Sequence, residues 1–260
     1  MPEKTPLNNI IENPMYLCLD FDGVIADGAD ECLIVSWLSW HERSIPNKPE
    51  QLLDSISADF RLHFKKLRCY VRHDEHFIAP YIIPVTNNIH SQQEFDSSFA
   101  GFDLALVKDF SQRFVQTRSN LRNSRADAWL ALHSLYPGIK NIFKSAHKIF
   151  IVSGKDTESI IAICKDNNIN IDKNQVFGGL SNKTEILKIL FTQSKDNKCK
   201  MIFCDDNLPN VIESRNLGVK TYWAGWGYHT EEHLQIAYKE AIEPTSLSQF
   251  LSKIVDTEKL

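Results

Sequence analysis

The sequence predicts an α/β fold, a parallel β-sheet covered by helices on both faces and interrupted by a mostly helical insertion. Three observations predict it. Short apolar runs recur, and each stops abruptly at a charged residue or a glycine. Segments with helical spacing of apolar residues lie between those runs. A stretch from about residue 28 to 136, rich in Trp, Phe, His and Arg, lacks the alternation altogether. Strands alternating with helices at this spacing imply parallel pairing with both sheet faces buried. Such sheets bind ligands beyond the carboxyl ends of their strands.

Taken in order, residues 16–19 (YLCL) form the first strand and end in Asp20-Phe21-Asp22-Gly23. The spacing then predicts helices over 29–40 and 110–135, with loops at Pro80, Pro84 and Asn87-Asn88. Pro137-Gly138 returns the chain to the sheet. Residues 148–153 (KIFIVS) are a strand ending at Gly154, followed by a helix over 157–166. A short strand, 175–177, precedes Gly178-Gly179. A helix over 184–191 takes Asn182 as N-cap with Glu185 as its partner. Residues 200–204 (KMIFC) end in Asp205-Asp206, a helix covers 208–216, and a strand over 219–224 ends at Gly225. This assigns residues 1–28 and 136–260 to an α/β core and 29–135 to the helical insertion.

Composition narrows the function. The chain of 260 residues is 43% hydrophobic and 24% charged, with a net charge of −4, which is ordinary soluble composition. A phosphate-backbone binder carries a basic surplus, so no nucleic-acid partner is expected, and no basic block docks on anionic membranes. No apolar stretch is long enough for a transmembrane helix or a leader. The six cysteines include no CxxC pair, and Cys18 and Cys204 sit in strand-like runs as small core hydrophobes. A reducing, cytoplasmic setting follows as the expectation. Asn182-Lys183-Thr184 then matches the glycosylation triplet by chance.

Asp20-Phe21-Asp22-Gly23 carries the strongest chemical signal. Two carboxylates, two residues apart after a buried strand, can divide the work of phosphoryl transfer. Asp20 at the strand end is placed to be a nucleophile. Asp22 is placed to give a proton to a leaving alkoxide and later take one from water. Gly23 permits a tight reversal of the chain.

The segment LCLDFDGVIADG resembles the first motif of the haloacid dehalogenase-like hydrolase superfamily. The resemblance implies a Rossmann-like parallel sheet, with the insertion as a helical cap and Asp27-Gly28 as its hinge region. Three further motifs can be sought. Ser153 in FIVSG matches the hydroxyl that binds a non-bridging phosphate oxygen, joined by backbone N–H groups near Gly154. Lys183 in LSNKTEIL matches the cation that offsets the charge of nucleophile and phosphate, with Lys188, deeper in the helix, as a weaker match. The acidic pair in FCDDNLPN matches a Mg²⁺ site. There the resemblance implies Asp20, the backbone carbonyl of Asp22, and Asp205 as ligands, with Asp206 or Asn210 orienting metal waters. Cys204 stands where Gly often precedes the acid, which leaves the division between Asp205 and Asp206 open. The resemblance covers roughly residues 16–28 and 137–228.

Asp22 favours a phosphatase over a dehalogenase, because a halide leaves without a proton. The ATP-driven pumps that share this chemistry need membrane helices. A sugar phosphomutase is the nearest rival, separable by whether free phosphate appears without an isomerised product. A binding protein on an inactive fold is the rival from another class, and its mark would be loss of Asp20, Asp22, Lys183 or Asp205. The expected substrate is a small phosphorylated metabolite. Arg68, Arg72, Arg118, Arg122 and Arg125 are candidates to read a second anionic group, with Arg72 and Arg118 preferred. His73, His76 and Trp129 could add contacts. Trp37, Trp40, Phe60, Phe64 and Phe114 are assigned to packing. Gly225-Trp226-Gly227-Tyr228 reads as a turn at the strand edge that packs as a wall.

Overall fold

The computed structural model describes residues 15–145 and 147–255, with the backbone alone at 255. Expectations for residues 1–14 and 256–260 lie outside the described residues. The chain opens with β1 (Met15–Leu19) and a short β2 (Ala26–Asp27). Seven helices follow: α1 (Ala29–Trp40), α2 (Leu52–Ser55), α3 (Ala58–Arg68), α4 (Ala79–Ile82), α5 (Gln92–Ala100), α6 (Leu104–Ser124) and α7 (Ala126–Leu130). Then come β3 (Ser134–Leu135), β4 (Lys148–Val152), α8 (Thr157–Asp166), β5 (Val176–Phe177) and α9 (Thr184–Asp196). The chain continues through β6 (Lys200–Asp205), α10 (Leu208–Asn216), β7 (Lys220–Ala224), α11 (Glu231–Lys239), β8 (Pro244–Thr245) and α12 (Leu247–Val255).

Six strands form one parallel sheet in the order β5-β4-β1-β6-β7-β8, with β1 at the centre. All of β1 is buried, because alternate residues face opposite layers. Tyr16 and Cys18 pack with Leu187 and Leu190 of α9, whereas Leu17 and Leu19 join the cluster holding Ile160 of α8 and Phe250 of α12. The fold is thus the doubly covered sheet that the continuous apolar runs imply.

A second, two-stranded antiparallel ribbon pairs Ala26 with Leu135 and Asp27 with Ser134. The chain leaves for the helical stretch through one strand of this ribbon and returns through the other. The stretch between them is held by aromatic packing. Phe77 stacks on Phe114 at 5.0 Å, Trp37 meets Phe60 edge-on at 5.4 Å, and Trp40 stacks on Tyr81 at 5.0 Å.

Several sequence expectations need correction. The single helix over 110–135 is in fact α6 and α7. Asp103 caps α6 by accepting the Leu106 N–H at 2.9 Å, so the helix starts six residues earlier than expected. Arg125, at φ −141°, then breaks it, and residues 134–135 are drawn into the ribbon. Asn182 does accept the Thr184 N–H at 2.7 Å, but it stands one residue before the N-cap, Lys183. Helices α3, α5, α11 and α12 carry no expectation above. Among the described residues, no helix is long and apolar enough to cross a membrane, and all six cysteines are free thiols.

Candidate active site

The register of the central strands assembles the site. Leu19 pairs with Ile151 on one side and Cys204 on the other, so the residues just beyond these positions reach one sheet edge together. The ladder continues one step further, with the Asp20 N–H donating to the Cys204 carbonyl at 2.9 Å. Asp20, Ser153 and Asp205 are therefore neighbours despite their separation in sequence, and all three are buried.

Lys183 closes the group. It stands at the start of α9, and its Nζ lies 2.9 Å from Asp20 Oδ1 and 2.8 Å from Asp205 Oδ2. These two carboxylates hold its ammonium protonated against the cost of burial. Lys188 is exposed on the same helix and takes no part. Asp20 Oδ1 also accepts the Phe21 N–H at 2.7 Å. Among the described residues no donor reaches Asp20 Oδ2.

The acidic pair is divided by its hydrogen bonds. Asp205 Oδ1 accepts from the Asn207 N–H at 2.8 Å, and its Oδ2 from Asn210 Nδ2 at 2.9 Å as well as from Lys183. Asp206 Oδ2 accepts the Tyr228 N–H at 2.7 Å, and its Oδ1 has no donor among the described residues. Burial raises the Asp205 carboxyl to about 6. Burial, with repulsion from Asp205 and Asp20, raises Asp206 well above the ordinary carboxylate range. Asp20, Asp205 and Asp206 bring carboxylate oxygens within 4.8 Å of one another. The donors are all hard oxygens with surplus negative charge, which fits Mg²⁺ rather than a thiophilic metal.

Gly23 adopts φ +84°, and a Cβ there would lie 2.1 Å from Asp206 Oδ2. Only glycine serves both needs. Asp22 sits at the start of the same loop, with Oδ2 3.4 Å from Lys155 Nζ and Oδ1 buried without a partner. A Cβ on Gly28 would lie 2.7 Å from that Oδ1, so the expected hinge glycine also makes room for the Asp22 carboxylate. Ser153 Oγ accepts the Lys155 N–H at 3.2 Å. Gly154 lies beside it in the wall of the cleft.

No family model and no curated protein matches the chain by sequence. The fold matches solved structures over nearly its whole length. A predicted phosphatase from Clostridium acetobutylicum aligns with TM-score 0.60 at 13% identity, over 94% of this chain and 99% of its own. A haloacid dehalogenase-like family hydrolase from Streptococcus pneumoniae gives 0.52 at 14%, over 90% and 92%. A predicted phosphoglycolate phosphatase from Haemophilus somnus gives 0.52 at 12%, over 83% and 87%. The fold is that of the haloacid dehalogenase-like hydrolases.

On this haloacid dehalogenase-like sheet, the helical stretch lies over the acidic edge. Arg72, Asp74 and Arg118 line the same cleft as Asp20 and Lys183. The two arginines preferred as substrate readers are already paired. Arg72 is bonded to Asp96. Arg118, almost wholly buried, lies 2.9 Å from Glu31 and 3.0 Å from Asp74. Arg122 is bonded to Asp156 at 2.8 Å, and Arg125 to Asn47. Trp129 is a core residue whose Nε1 donates to Glu31 at 3.3 Å. Tyr228 does more than pack. Its hydroxyl donates to Asp27 at 2.6 Å and accepts the Gly28 N–H at 3.2 Å, tying the loop after β7 to the ribbon.

Sequence reasoning missed Glu31 and Lys155. Both are buried, 3.2 Å apart, and with Arg118 they link the Asp22 carboxylate to the helical stretch. The signal was an acid beside the apolar run CLIV of α1, where an unpaired charge could not stay. His73, Glu75 and His76 form a second cluster, with ligand atoms within 4.8 Å. There His76 Nδ1 accepts the Arg72 N–H at 3.3 Å, which puts the ring proton on Nε2 and withholds that lone pair from a metal.

His133 completes the buried charge group, with Nδ1 donating to the Trp129 carbonyl at 3.0 Å and Nε2 3.9 Å from Glu31. Burial, then Lys155, pushes its pKa down to about 4. A lowered folded pKa means stability that is present above the unfolded value, about 6.5, and is lost as pH falls toward 4. His133→Gln should therefore lose less unfolding free energy between pH 7.5 and 4.5 than the parent, by about 2 to 3 kcal/mol. Urea titrations at the two pH values measure it, and equal losses would refute the assignment.

Proposed function

We propose that the chain is a Mg²⁺-dependent phosphatase that hydrolyses a small phosphorylated metabolite through an aspartyl-phosphate on Asp20. The observation that carries this reading is Lys183, which bridges Asp20 and Asp205 while leaving Asp20 Oδ2 without a donor. Asp20 Oδ2 is the oxygen available to attack phosphorus. The ester P–O bond breaks, its electron pair goes to the leaving oxygen, and Asp22 supplies the proton. Water then attacks the acyl-phosphate, Asp22 takes back a proton, and the Asp20–phosphorus bond breaks. Ser153 Oγ and the backbone N–H groups at Gly154 would bind the non-bridging oxygens. The names of the structural neighbours, hydrolases and phosphatases, point the same way.

Asp20 and Asp206 carboxylates and the Asp22 carbonyl would hold the metal. This reverses the expected division of the acidic pair, because both Asp205 oxygens are occupied by N–H donors while Asp206 Oδ1 is not. Bound there, Mg²⁺ would neutralise charge on the phosphoryl oxygens. Residues 29–135 would act as a cap over the core, 1–28 and 136–260, since their side chains share the cleft with Asp20.

The test is phosphate release from a panel of phosphorylated metabolites and one aryl phosphate, with Mg²⁺ and with EDTA. Release with Mg²⁺ and its loss by at least about 100-fold in EDTA are expected. Equal release in EDTA would remove the metal from the proposal. An isomerised product without free phosphate would replace hydrolysis by transfer.

A further inference from the structure

The loop after β7, residues 225–228, joins parts of the site that are far apart in the chain. Trp226 Nε1 donates to the Val24 carbonyl at 3.2 Å, in the loop that follows Asp20. A Cβ on Gly227 would lie 2.4 Å from both the Asp206 Cβ and the Gly23 carbonyl oxygen, so only a glycine lets the loop pass between them. Tyr228 then reaches in three directions. Its N–H donates to Asp206 Oδ2 at 2.7 Å. Its hydroxyl donates to Asp27 Oδ1 at 2.6 Å and accepts the Gly28 N–H at 3.2 Å. Its ring centroid lies 4.3 Å from the guanidinium carbon of Arg68, the last residue of α3. One residue further along, the Cys69 thiol donates to the His229 carbonyl at 3.6 Å.

These contacts differ in kind, and the difference points to a role. The bond to Asp206 is charge-assisted, and it fixes which oxygen of that buried carboxylate is already taken. The bonds to Asp27 and Gly28 fall where the helical stretch leaves the two-stranded ribbon. A tyrosine side chain has two torsions, so a hydroxyl held at the ribbon restricts where its own N–H can stand. A shift of the ribbon would draw that N–H away from Asp206 and leave the carboxylate free to turn. Wall packing alone requires none of these bonds.

Resting on the Mg²⁺ site proposed above, we infer that Tyr228 is a positioning residue that couples cation binding at Asp206 to the placement of the helical stretch on its ribbon. With the hydroxyl seated on Asp27 and Gly28, the N–H holds Asp206 Oδ2 and Oδ1 is turned to the cation. A cation bound there holds the ribbon in place in return, because linkage between two sites is reciprocal. Asp27 is the ribbon's half of the device, and its Oδ1 also accepts the Ala29 N–H at 3.0 Å at the start of α1.

Calorimetric titration with Mg²⁺ and hydrogen exchange of the Gly28 amide test the coupling. Saturating Mg²⁺ should slow Gly28 exchange in the parent by about 5- to 50-fold. Tyr228→Phe keeps the ring and the N–H and removes only the hydroxyl. It should weaken Mg²⁺ binding by about the same factor and leave Gly28 exchange indifferent to Mg²⁺. Asp27→Ala should weaken Mg²⁺ binding equally. Asp27→Asn keeps the acceptor without the charge and should stay within about twofold of the parent. Melting temperatures check folding, and if Tyr228→Phe does not fold, the Asp27 pair decides alone. The inference is overturned by a parent that binds no Mg²⁺ or whose Gly28 exchange ignores it, by parent-like affinity in Tyr228→Phe, or by equal losses in the two Asp27 variants. Phosphate release is judged apart. A parent that shows the coupling but hydrolyses no ester ends the phosphatase reading and leaves the coupling standing, and Mg²⁺-dependent release without the coupling does the reverse.

Discussion

Asp20→Asn should lower phosphate release by at least about 10³-fold while leaving the protein folded. The reason is local. Asp20 Oδ1 is fixed by the Phe21 N–H and by Lys183, so attack falls to Oδ2. An amide has no anionic oxygen to offer, and its NH₂ cannot form the acyl-phosphate. The variant also relieves charge in a crowded group of carboxylates, since Asp206 is already raised by repulsion from Asp205 and Asp20. Activity should therefore collapse without a comparable fall in melting temperature. Acid-quenched parent enzyme, digested after turnover, should yield a phosphorylated Asp20 peptide that the variant lacks. A variant that keeps a tenth of the parent activity would end the role of Asp20 as nucleophile.

The largest stability effect should come from Glu31, a buried acid of α1. Its carboxylate receives Arg118 at 2.9 Å, Lys155 at 3.2 Å and the Trp129 N–H at 3.3 Å. Burial alone would raise its pKa, yet Arg118, Lys155 and His133 hold it well below the usual range. Removing the charge leaves two buried cations with one carboxylate each, Arg118 with Asp74 and Lys155 with Asp22. Glu31→Gln should cost about 3 to 5 kcal/mol of unfolding free energy in urea. Glu185→Gln, on an exposed helix surface, should stay within about 0.5 kcal/mol. A Glu31→Gln loss under about 1 kcal/mol would show that the network does not stabilise the fold. Activity should fall as well, because Lys155 joins Glu31 to Asp22 and loses one of its two partners.

The expectations that held rest on local patterns. A run such as YLCL or IFIV, apolar at every position, can only be buried on both faces, so the parallel sheet was readable. Strands that end in Asp20, Ser153 and Asp205 place those residues at one edge once the sheet is parallel. The boundaries of α1, α8 and α10 followed from apolar spacing. The two-residue strands β2 and β3 did not, because a ribbon that short exists only through its partner more than a hundred residues away.

The sequence by itself determined the double-sided sheet, the order of its strand-end residues and the identity of the groups that meet there, since each follows from period, turn chemistry and parallel topology. Only the tertiary structure decided which charges remain available. Arg72, Arg118 and Arg68 look alike in sequence. The first two are paired with Asp96, Glu31 and Asp74, whereas among the described residues the buried Nε of Arg68 has no hydrogen-bond partner. The hydrogen bonds that distinguish Asp205 from Asp206 come from Asn207, Asn210, Lys183 and Tyr228, the last two from across the fold. Ion pairs and donor counts depend on distances across the fold, and no local pattern carries them.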